Sequence, residues 1–295
     1  MPFSLNAPGI LWEAQASLRE YTTARIGGIA PLLLKPQSIE ALFVCLETLT
    51  DIGVPFCILG KGSNVLIRDQ IQTPVWVLTT CVKEIQRNGE RLIAGCGVPL
   101  PLLAKEAMQF AFCGVSSWAG IPGTVGGAIR TNAGAFGGTI SDSLEAVWVY
   151  DSHRRKKRRL SREVLAFSYR SSLFLTERHL IVLSAVFHFP QGDVEAERRR
   201  IRENRAWRRA HQPSAPGCGS IFRKTEGAAA WRFIDDIGFR GRQVGNVKIS
   251  EKHCNFLENM GDASFQDAFT LIEQVREHVY RRFGVFLTPE PEILE

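Results

Sequence analysis

The sequence predicts a mixed α+β chain built around a ligand-holding loop, on three observations. Short apolar runs of strand length alternate with amphipathic helical patterns, which argues α+β or α/β over all-helical. Two glycine clusters, Gly60-Lys61-Gly62-Ser63-Asn64 and Gly120-Ile121-Pro122-Gly123-Thr124-Val125-Gly126-Gly127, interrupt that alternation. No apolar run reaches the ~18 residues a membrane-spanning helix needs, so no membrane insertion is expected.

The elements follow in chain order. Residues 38–51 read as a helix with Ser38 as N-cap and Leu42, Cys45, Leu46 and Leu49 on one face. Phe56-Cys57-Ile58-Leu59 is a short buried strand, and Val75-Trp76-Val77-Leu78 and Leu92-Ile93-Ala94 are further strands. Pro101 opens a helix to about Phe112, with Leu103, Ala107, Phe110 and Ala111 on one side. Ala146–Asp151 and Leu180–Phe189 read as strands. A charged helix over 193–211, with seven arginines, reads as a mostly solvated connector. The last helix starts near Ser264, places Phe265, Phe269, Ile272, Val275, Val279 and Phe283 on its core face, and stops at Gly284. Composition shifts divide the 295 residues into units at 1–74, 75–205 and 206–283, with the tail 284–295 returning to the first.

Bulk properties narrow the class. With 45% hydrophobic and 22% charged residues the chain is globular. The segment Met1-Pro2-Phe3-Ser4-Leu5-Asn6 lacks the basic and apolar regions of a secretory signal. Seven scattered cysteines with no Cys-x-x-Cys pair disfavour disulfides and a metal site and favour the cytoplasm. The net charge of +6 suits an anionic ligand. Six of the positive charges sit in Arg154-Arg155-Lys156-Lys157-Arg158-Arg159, after a strand and a turn. No aromatic residues interleave with this run, so it reads as a solvated hairpin and no nucleic-acid partner is expected.

The glycine clusters carry the first chemical signal. Glycine lets a ligand approach the backbone, and successive N–H groups form a concave anion nest. The stretch 120–138 holds seven glycines in nineteen residues among small apolar neighbours, unlike a flexible linker. It fails the Gly-x-Gly-x-x-Gly dinucleotide fingerprint, and no Walker Gly-Lys-Ser/Thr follows. Two such loops about sixty residues apart suggest one extended ligand held from two sides.

Several residues could act on such a ligand. Ser220, in Gly217-Cys218-Gly219-Ser220-Ile221-Phe222-Arg223, is a proton donor or a plain turn serine, and Cys218 beside it is a possible nucleophile. Arg170, in Phe167-Ser168-Tyr169-Arg170-Ser171-Ser172, is a fork for carboxylate or phosphate, or a surface ion-pair partner. His253 is structural or titrating. Glu290 and Glu292, in Pro289-Glu290-Pro291-Glu292, belong either to an acidic tail or to a cleft.

In order and spacing, these blocks resemble the UDP-N-acetylenolpyruvoylglucosamine reductase family across nearly the whole chain. The resemblance runs from Thr22-Thr23-Ala24-Arg25-Ile26-Gly27-Gly28 through both glycine clusters and Asn132-Ala133-Gly134-Ala135 to Tyr169-Arg170-Ser171-Ser172. It continues through Gly219-Ser220-Ile221-Phe222, Gly238-Phe239-Arg240-Gly241 and Ser250-Glu251-Lys252-His253 to Pro289-Glu290. The compact middle resembles the shorter class, without a tyrosine-bearing insertion. The resemblance implies a vanillyl-alcohol-oxidase-type fold of two FAD-binding subdomains and a third, substrate-binding domain. It implies bound FAD, NADPH and a UDP-sugar as substrates, a role in peptidoglycan (cell wall) synthesis, and a monomeric protein. It assigns Ser220 as proton donor, with Arg170 and Glu290 as active-site partners. Gly60, Gly62, Ser63, Asn64, Gly120, Ile121, Pro122, Gly123, Gly126 and Gly127 would hold the cofactor, and Lys224 and His253 the substrate. No metal is implied. Arg223-Lys224-Thr225 stands where the family usually has Lys-Asn-Pro, and Arg130-Thr131 where it tends to be apolar. Two alternatives remain open: a non-catalytic nucleotide-sugar or nucleic-acid binder on the same scaffold, and an oxidase with covalent flavin.

Overall fold

Residues 8–225 and 228–295 are described by the structure, a computed structural model. The stretch read for a secretory signal, residues 1–6, lies outside them. The chain begins with β1 (Ile10–Ser17), β2 (Ile29–Pro36), α1 (Ile39–Asp51), β3 (Phe56–Leu59), β4 (Val65–Ile67) and β5 (Val75–Leu78). Next come β6 (Ile85–Asn88), β7 (Arg91–Gly95), α2 (Leu100–Gln109), α3 (Val125–Thr131), β8 (Gly134–Ala135) and β9 (Gly138–Thr139). After β10 (Leu144–Asp151), β11 (Lys156–Ser161) and β12 (Leu180–His188) lies α4 (Val194–His211). The remainder is α5 (Ala230–Asp236), β13 (Gln243–Val244), β14 (Val247–Ile249), β15 (Leu257–Asn259), α6 (Phe265–Phe283) and β16 (Glu292–Leu294). Two compact units result. One comprises residues 8–14, Pro31–Lys61 and Thr73–Ala206; the other comprises Gln15–Ala30, Gly62–Gln72 and Trp207–Glu295.

In the first unit, β2 and β3 both pair parallel with β5, in the order β1-β2-β5-β3. Parallel neighbours need a crossover, and α1 supplies it between β2 and β3. Ser38 starts α1 by accepting the Ala41 N–H at 3.0 Å, as the sequence predicts. All four residues of β5 are buried, as befits a central parallel strand. The second sheet, β11-β10-β12-β7-β6, is antiparallel throughout. Leu42, Leu46, Val77, Val147 and Phe187 share one core, and Phe43 of α1 meets Tyr150 of β10 edge-on at 5.7 Å.

Three expectations in this unit change. The predicted 101–112 helix is α2, which ends at Gln109 because the chain turns left-handed at Ala111 (φ 59°). The glycine stretch, read as loop, contains the helix α3, closed by Asn132 in the left-handed region. The charged α4 is more than a solvated connector, because Glu197 is buried and accepts the Val115 and Ser116 N–H groups, each at 2.7 Å. Those bonds satisfy donors that would otherwise lie buried without partners.

The basic run 154–159 forms the turn and first half of the β10–β11 hairpin, with Arg155 left-handed at φ 50°. Specific carboxylates neutralise it: Arg158 pairs with the buried Asp151 at 2.6 Å, Arg159 with Glu145 at 3.2 Å and Arg155 with Asp51 at 3.3 Å. Burial pushes the Asp151 carboxyl up, but the Arg154 N–H and the Arg158 guanidinium outweigh it and hold it below its ordinary value.

In the second unit, β13-β14-β15 form an antiparallel sheet, and Ile234, Val247, Ile249, Leu271, Val275 and Val279 share its core with Ile221 and Phe222. α6 has the predicted start and stop. Ser264 and Asp267 form a reciprocal capping box, and Gly284 is left-handed at φ 68°. Phe283, expected on the core face, is 36% exposed and meets Phe233 at 5.3 Å. β16 pairs parallel with β4, joining Glu292–Leu294 to Val65–Ile67.

Candidate active site

Ser220 lies in the second unit on a short extended segment pinned from both sides. On one side, Ser220 bridges Phe256, and the Ile221 N–H donates to the Asn255 carbonyl at 2.9 Å. The buried Asn255 carboxamide then behaves as a second backbone. Its oxygen accepts the Phe222 N–H and its NH2 donates to the Phe222 carbonyl, each at 2.9 Å. On the other side, Phe222 bridges Pro289, the Glu290 N–H donates to the Ile221 carbonyl at 2.8 Å, and the Arg223 N–H donates to the Thr288 carbonyl at 2.9 Å. Ser220 and Glu290, 70 positions apart in sequence, are thereby brought onto neighbouring backbone. Both are half-buried.

The second half of the first glycine loop belongs to this cluster. Gly62 is left-handed at φ 61°, and a Cβ there would stand 2.5 Å from the Tyr21 carbonyl oxygen, so only glycine fits. Asn64, expected at the cofactor, donates its side-chain NH2 to the Glu290 carbonyl at 3.3 Å, while its own carbonyl accepts the Glu292 N–H at 3.0 Å. Ser63 sits half-buried between them, its carbonyl oxygen 3.8 Å from where a Gly219 Cβ would be.

Two sequence candidates in this unit change character. Cys218 is buried, and burial pushes its thiol up to about 12, so it is no nucleophile. His253 is half-buried. Burial, with the nearby Arg240 and His211 charges, holds it below the ordinary histidine value, so it is neutral at pH 7. Its Nδ1 accepts the Asn255 N–H at 3.2 Å, and its ring meets Phe256 edge-on at 4.8 Å. The Gly238-Phe239-Arg240-Gly241 motif is a brace. Arg240 grips Asp235 through Nε at 2.9 Å and Nη2 at 2.8 Å, and donates through Nη1 to the Glu251 carbonyl. Lys224 is exposed.

The first unit holds the other glycine loop and Arg170. The Val125 N–H donates to the Val98 carbonyl at 2.9 Å and the Gly126 N–H to the Cys96 carbonyl at 2.8 Å, so the loop lies against residues 96–98 before α3 begins. Gly123 accepts the Leu100 N–H at 3.0 Å, and the Ile121 N–H donates to the Trp118 carbonyl at 3.0 Å. Gly120 is half-buried, and Pro122 and Gly127 are exposed. A Cβ at Gly60 would stand 2.8 Å from the Thr124 hydroxyl, so the two glycine loops do meet, as their sequence suggested. That hydroxyl is buried without a hydrogen-bond partner, and so is the Asn132 Oδ1. Buried orphans of this kind cost free energy unless a ligand satisfies them.

Arg170 sits at the tip of a tight turn in which Ser168 and Ser171 exchange hydrogen bonds at 3.1 and 3.2 Å. It is left-handed at φ 52°, uncommon for a non-glycine residue. Asn132 holds the turn by donating to the Ser168 carbonyl at 2.9 Å, and Arg170 Nη2 donates to the Gly134 carbonyl at 2.8 Å. The neighbouring Arg130 ties the Phe174 carbonyl, which gives that departure a structural cause.

Comparison with known proteins places this arrangement. A family model described as "UDP-N-acetylenolpyruvoylglucosamine reductase, C-terminal domain" matches residues 211–294, and one described as "FAD binding domain" matches residues 30–153. The chain is 40% identical to the UDP-N-acetylenolpyruvoylglucosamine reductase of Carboxydothermus hydrogenoformans, over 94% of this chain and 92% of that one. The chain belongs to the UDP-N-acetylenolpyruvoylglucosamine reductase family. The family's Rubrobacter xylanophilus member is 38% identical, over 94% of this chain and 93% of its own. The family's crystal structure from Thermus caldophilus superposes with a TM-score of 0.81 at 31% identity, covering 97% of this chain and 99% of that one. The expected fold, an FAD-binding part followed by the family's C-terminal domain, therefore stands. No helix among the described residues is long and apolar enough to cross a membrane.

The first unit's residues fit FAD. The orphaned Thr124 hydroxyl can donate to a phosphate oxygen, the Asn132 Oδ1 can accept an N–H or O–H, and the missing side chains at Gly60 and Gly127 leave the backbone open beside them.

Proposed function

We propose that this chain is the NADPH-dependent flavoenzyme that reduces the enolpyruvyl group of UDP-N-acetylglucosamine enolpyruvate to UDP-N-acetylmuramate, in peptidoglycan synthesis in the cytoplasm. One observation carries the reading: in a member of the family, the Glu290 N–H is bonded to the carbonyl of Ile221, next to Ser220. When bound, FAD would supply hydride chemistry, with NADPH as the reductant.

The chain's own residues do the rest. Hydride addition to the enolpyruvyl methylene puts negative charge on the neighbouring carbon and its carboxylate. The Arg170 guanidinium, held at the Gly134 carbonyl, offsets that charge. The Ser220 hydroxyl donates a proton to the same carbon, completing addition of one hydride and one proton across the double bond. Glu290 orients the carboxylate's surroundings and the Ser220 hydroxyl. For the cofactor we assign Gly60, Gly62, Ser63, Asn64, Gly120, Ile121, Pro122, Gly123, Gly126 and Gly127, joined by Thr124 and Asn132. Lys224 and His253 are assigned to the UDP-sugar, the neutral His253 as a hydrogen-bonding group. The domain reading assigns 1–74 and 75–205 to FAD and 206–283 to the substrate, with a monomer as the working unit.

The test is spectroscopic and kinetic. Purified protein should carry flavin absorbance and consume NADPH only when the enolpyruvyl sugar nucleotide is added. NADPH consumption indifferent to that substrate would overturn the reading.

A further inference from the structure

Glu197 is buried on α4, within the first unit. A single oxygen, Oε1, accepts both the Val115 and the Ser116 N–H at 2.7 Å. Two successive backbone N–H groups on one carboxylate oxygen make an internal anion nest, and bonds to a charged acceptor are the strong ones. Two turns further along the same face of α4, Asn204 Nδ2 donates to the Ser116 carbonyl at 3.0 Å. The start of α4 is itself fixed, because Asp193 Oδ1 accepts the Glu195 N–H at 2.9 Å and the Ala196 N–H at 3.0 Å. An anchored helix therefore grips residues 115 and 116 from two of its turns.

The gripped segment leads to both functional parts of this unit. Along the chain, the Val115 carbonyl accepts the Ala119 N–H at 2.9 Å and the Trp118 carbonyl accepts the Ile121 N–H at 3.0 Å. These tight turns, with Trp118 and Ala119 buried, leave no slack between the grip and the glycine loop 120–127. Sideways, Ser117 lies against Gly138, where a Cβ would stand 2.6 Å from the Ser117 hydroxyl. Gly138 pairs with Ala135 in the β8–β9 hairpin, and Gly134 of that hairpin accepts Arg170 Nη2 at 2.8 Å. Close-packed atoms and backbone bonds transmit a displacement rather than absorb it, so a shift at residues 115–116 moves the loop and the guanidinium together.

We propose that Glu197 is a positioning residue for the reaction, holding residues 115–117 and through them the flavin-binding glycine loop and the Arg170 guanidinium. The proposal rests on the functional reading above and adds to it a residue that acts only through its neighbours.

Flavin-free and flavin-loaded protein test it together. Glu197→Ala should weaken FAD binding to the flavin-free protein, followed by flavin fluorescence, by about fivefold or more, and should lower kcat per bound flavin by about tenfold or more. Counting turnover per bound flavin, from its absorbance, leaves out molecules that fail to fold or load, so a purely structural role would not move that kcat. Glu197→Gln keeps an oxygen that can accept the same two N–H groups and should recover most of both losses. Should the alanine variant not fold, Glu197→Asp takes its place, since its carboxylate keeps the charge but falls a methylene short of the two N–H groups. A value within twofold of wild type for either quantity in that variant would overturn the proposal, as would Glu197→Gln performing no better than it. Wild-type protein that binds FAD but does not turn over the enolpyruvyl sugar nucleotide would instead overturn the functional reading, and FAD affinity alone would then decide for or against Glu197.

Discussion

The two candidate regions satisfy their polar groups in opposite ways. Around Ser220 the backbone is over-determined, with Asn255 on one flank and Thr288–Glu290 on the other supplying a partner for every main-chain group of Ile221 and Phe222. Around Thr124 the reverse holds, with a buried hydroxyl and a buried amide oxygen left unpaired. A proton donor must be held within a narrow range of positions, and rigid neighbours do that. A cofactor cradle gains affinity from polar groups that the protein itself leaves unsatisfied. The contrast teaches that one region's polar groups are paired within the chain, while the other keeps buried polar groups open to a ligand.

The contrast can be broken at four points. Ser220→Ala should lower product formation by about 10²–10⁴-fold while flavin reduction by NADPH stays at the wild-type rate in single-turnover absorbance traces. Equal loss in both half-reactions would remove Ser220 from the protonation step. Asn255→Ala strands the Phe222 N–H and carbonyl in the interior and should cost about 2–4 kcal/mol of unfolding free energy in urea titrations, with kcat falling too. Full activity in a destabilised variant would show that the clamp serves the fold alone.

Thr124→Val removes the orphaned hydroxyl at similar shape. The flavin-free protein should be as stable as wild type or more so, while FAD binding, followed by fluorescence, should be weakened by about 5–10-fold. A loss of stability without flavin would mean the hydroxyl has a partner inside the protein. The smallest effect concerns pH. The folded His253 binds its proton less readily than the unfolded chain does. Stability from this group is therefore present above the unfolded value of about 6.5 and is lost as pH falls through that value toward the folded one. His253→Gln should flatten the stability profile just below about pH 6.5; an unchanged slope would place the proton elsewhere.

What was legible in the sequence follows from locality. The ends of α1 and α6 were readable because Ser38, Ser264 and Gly284 act on residues within one turn. The helix α3 was not, because glycines and β-branched residues argue against a helix that tertiary contacts impose. The burial of Glu197 was hidden for a similar reason. An acid on an arginine-rich helix reads as solvated until its partners, Val115 and Ser116, are known. Ser220, Arg170 and Glu290 are singled out by the family resemblance, but Asn255 is not. Its sole signal was an amide inside a polar cluster, and its partners lie more than thirty positions upstream.

The parallel pairing of β4 with β16 has a consequence for synthesis. Residues 65–67 leave the ribosome more than two hundred residues before their partners at 292–294. The first unit's long middle segment, Thr73–Ala206, is made in between and has its own sheet and core. During translation the flavin-binding part can therefore take shape while β4 waits unpaired. A ribosome stalled short of Glu290 would carry the first unit's sheet and core formed, with β4 still lacking its partner strand.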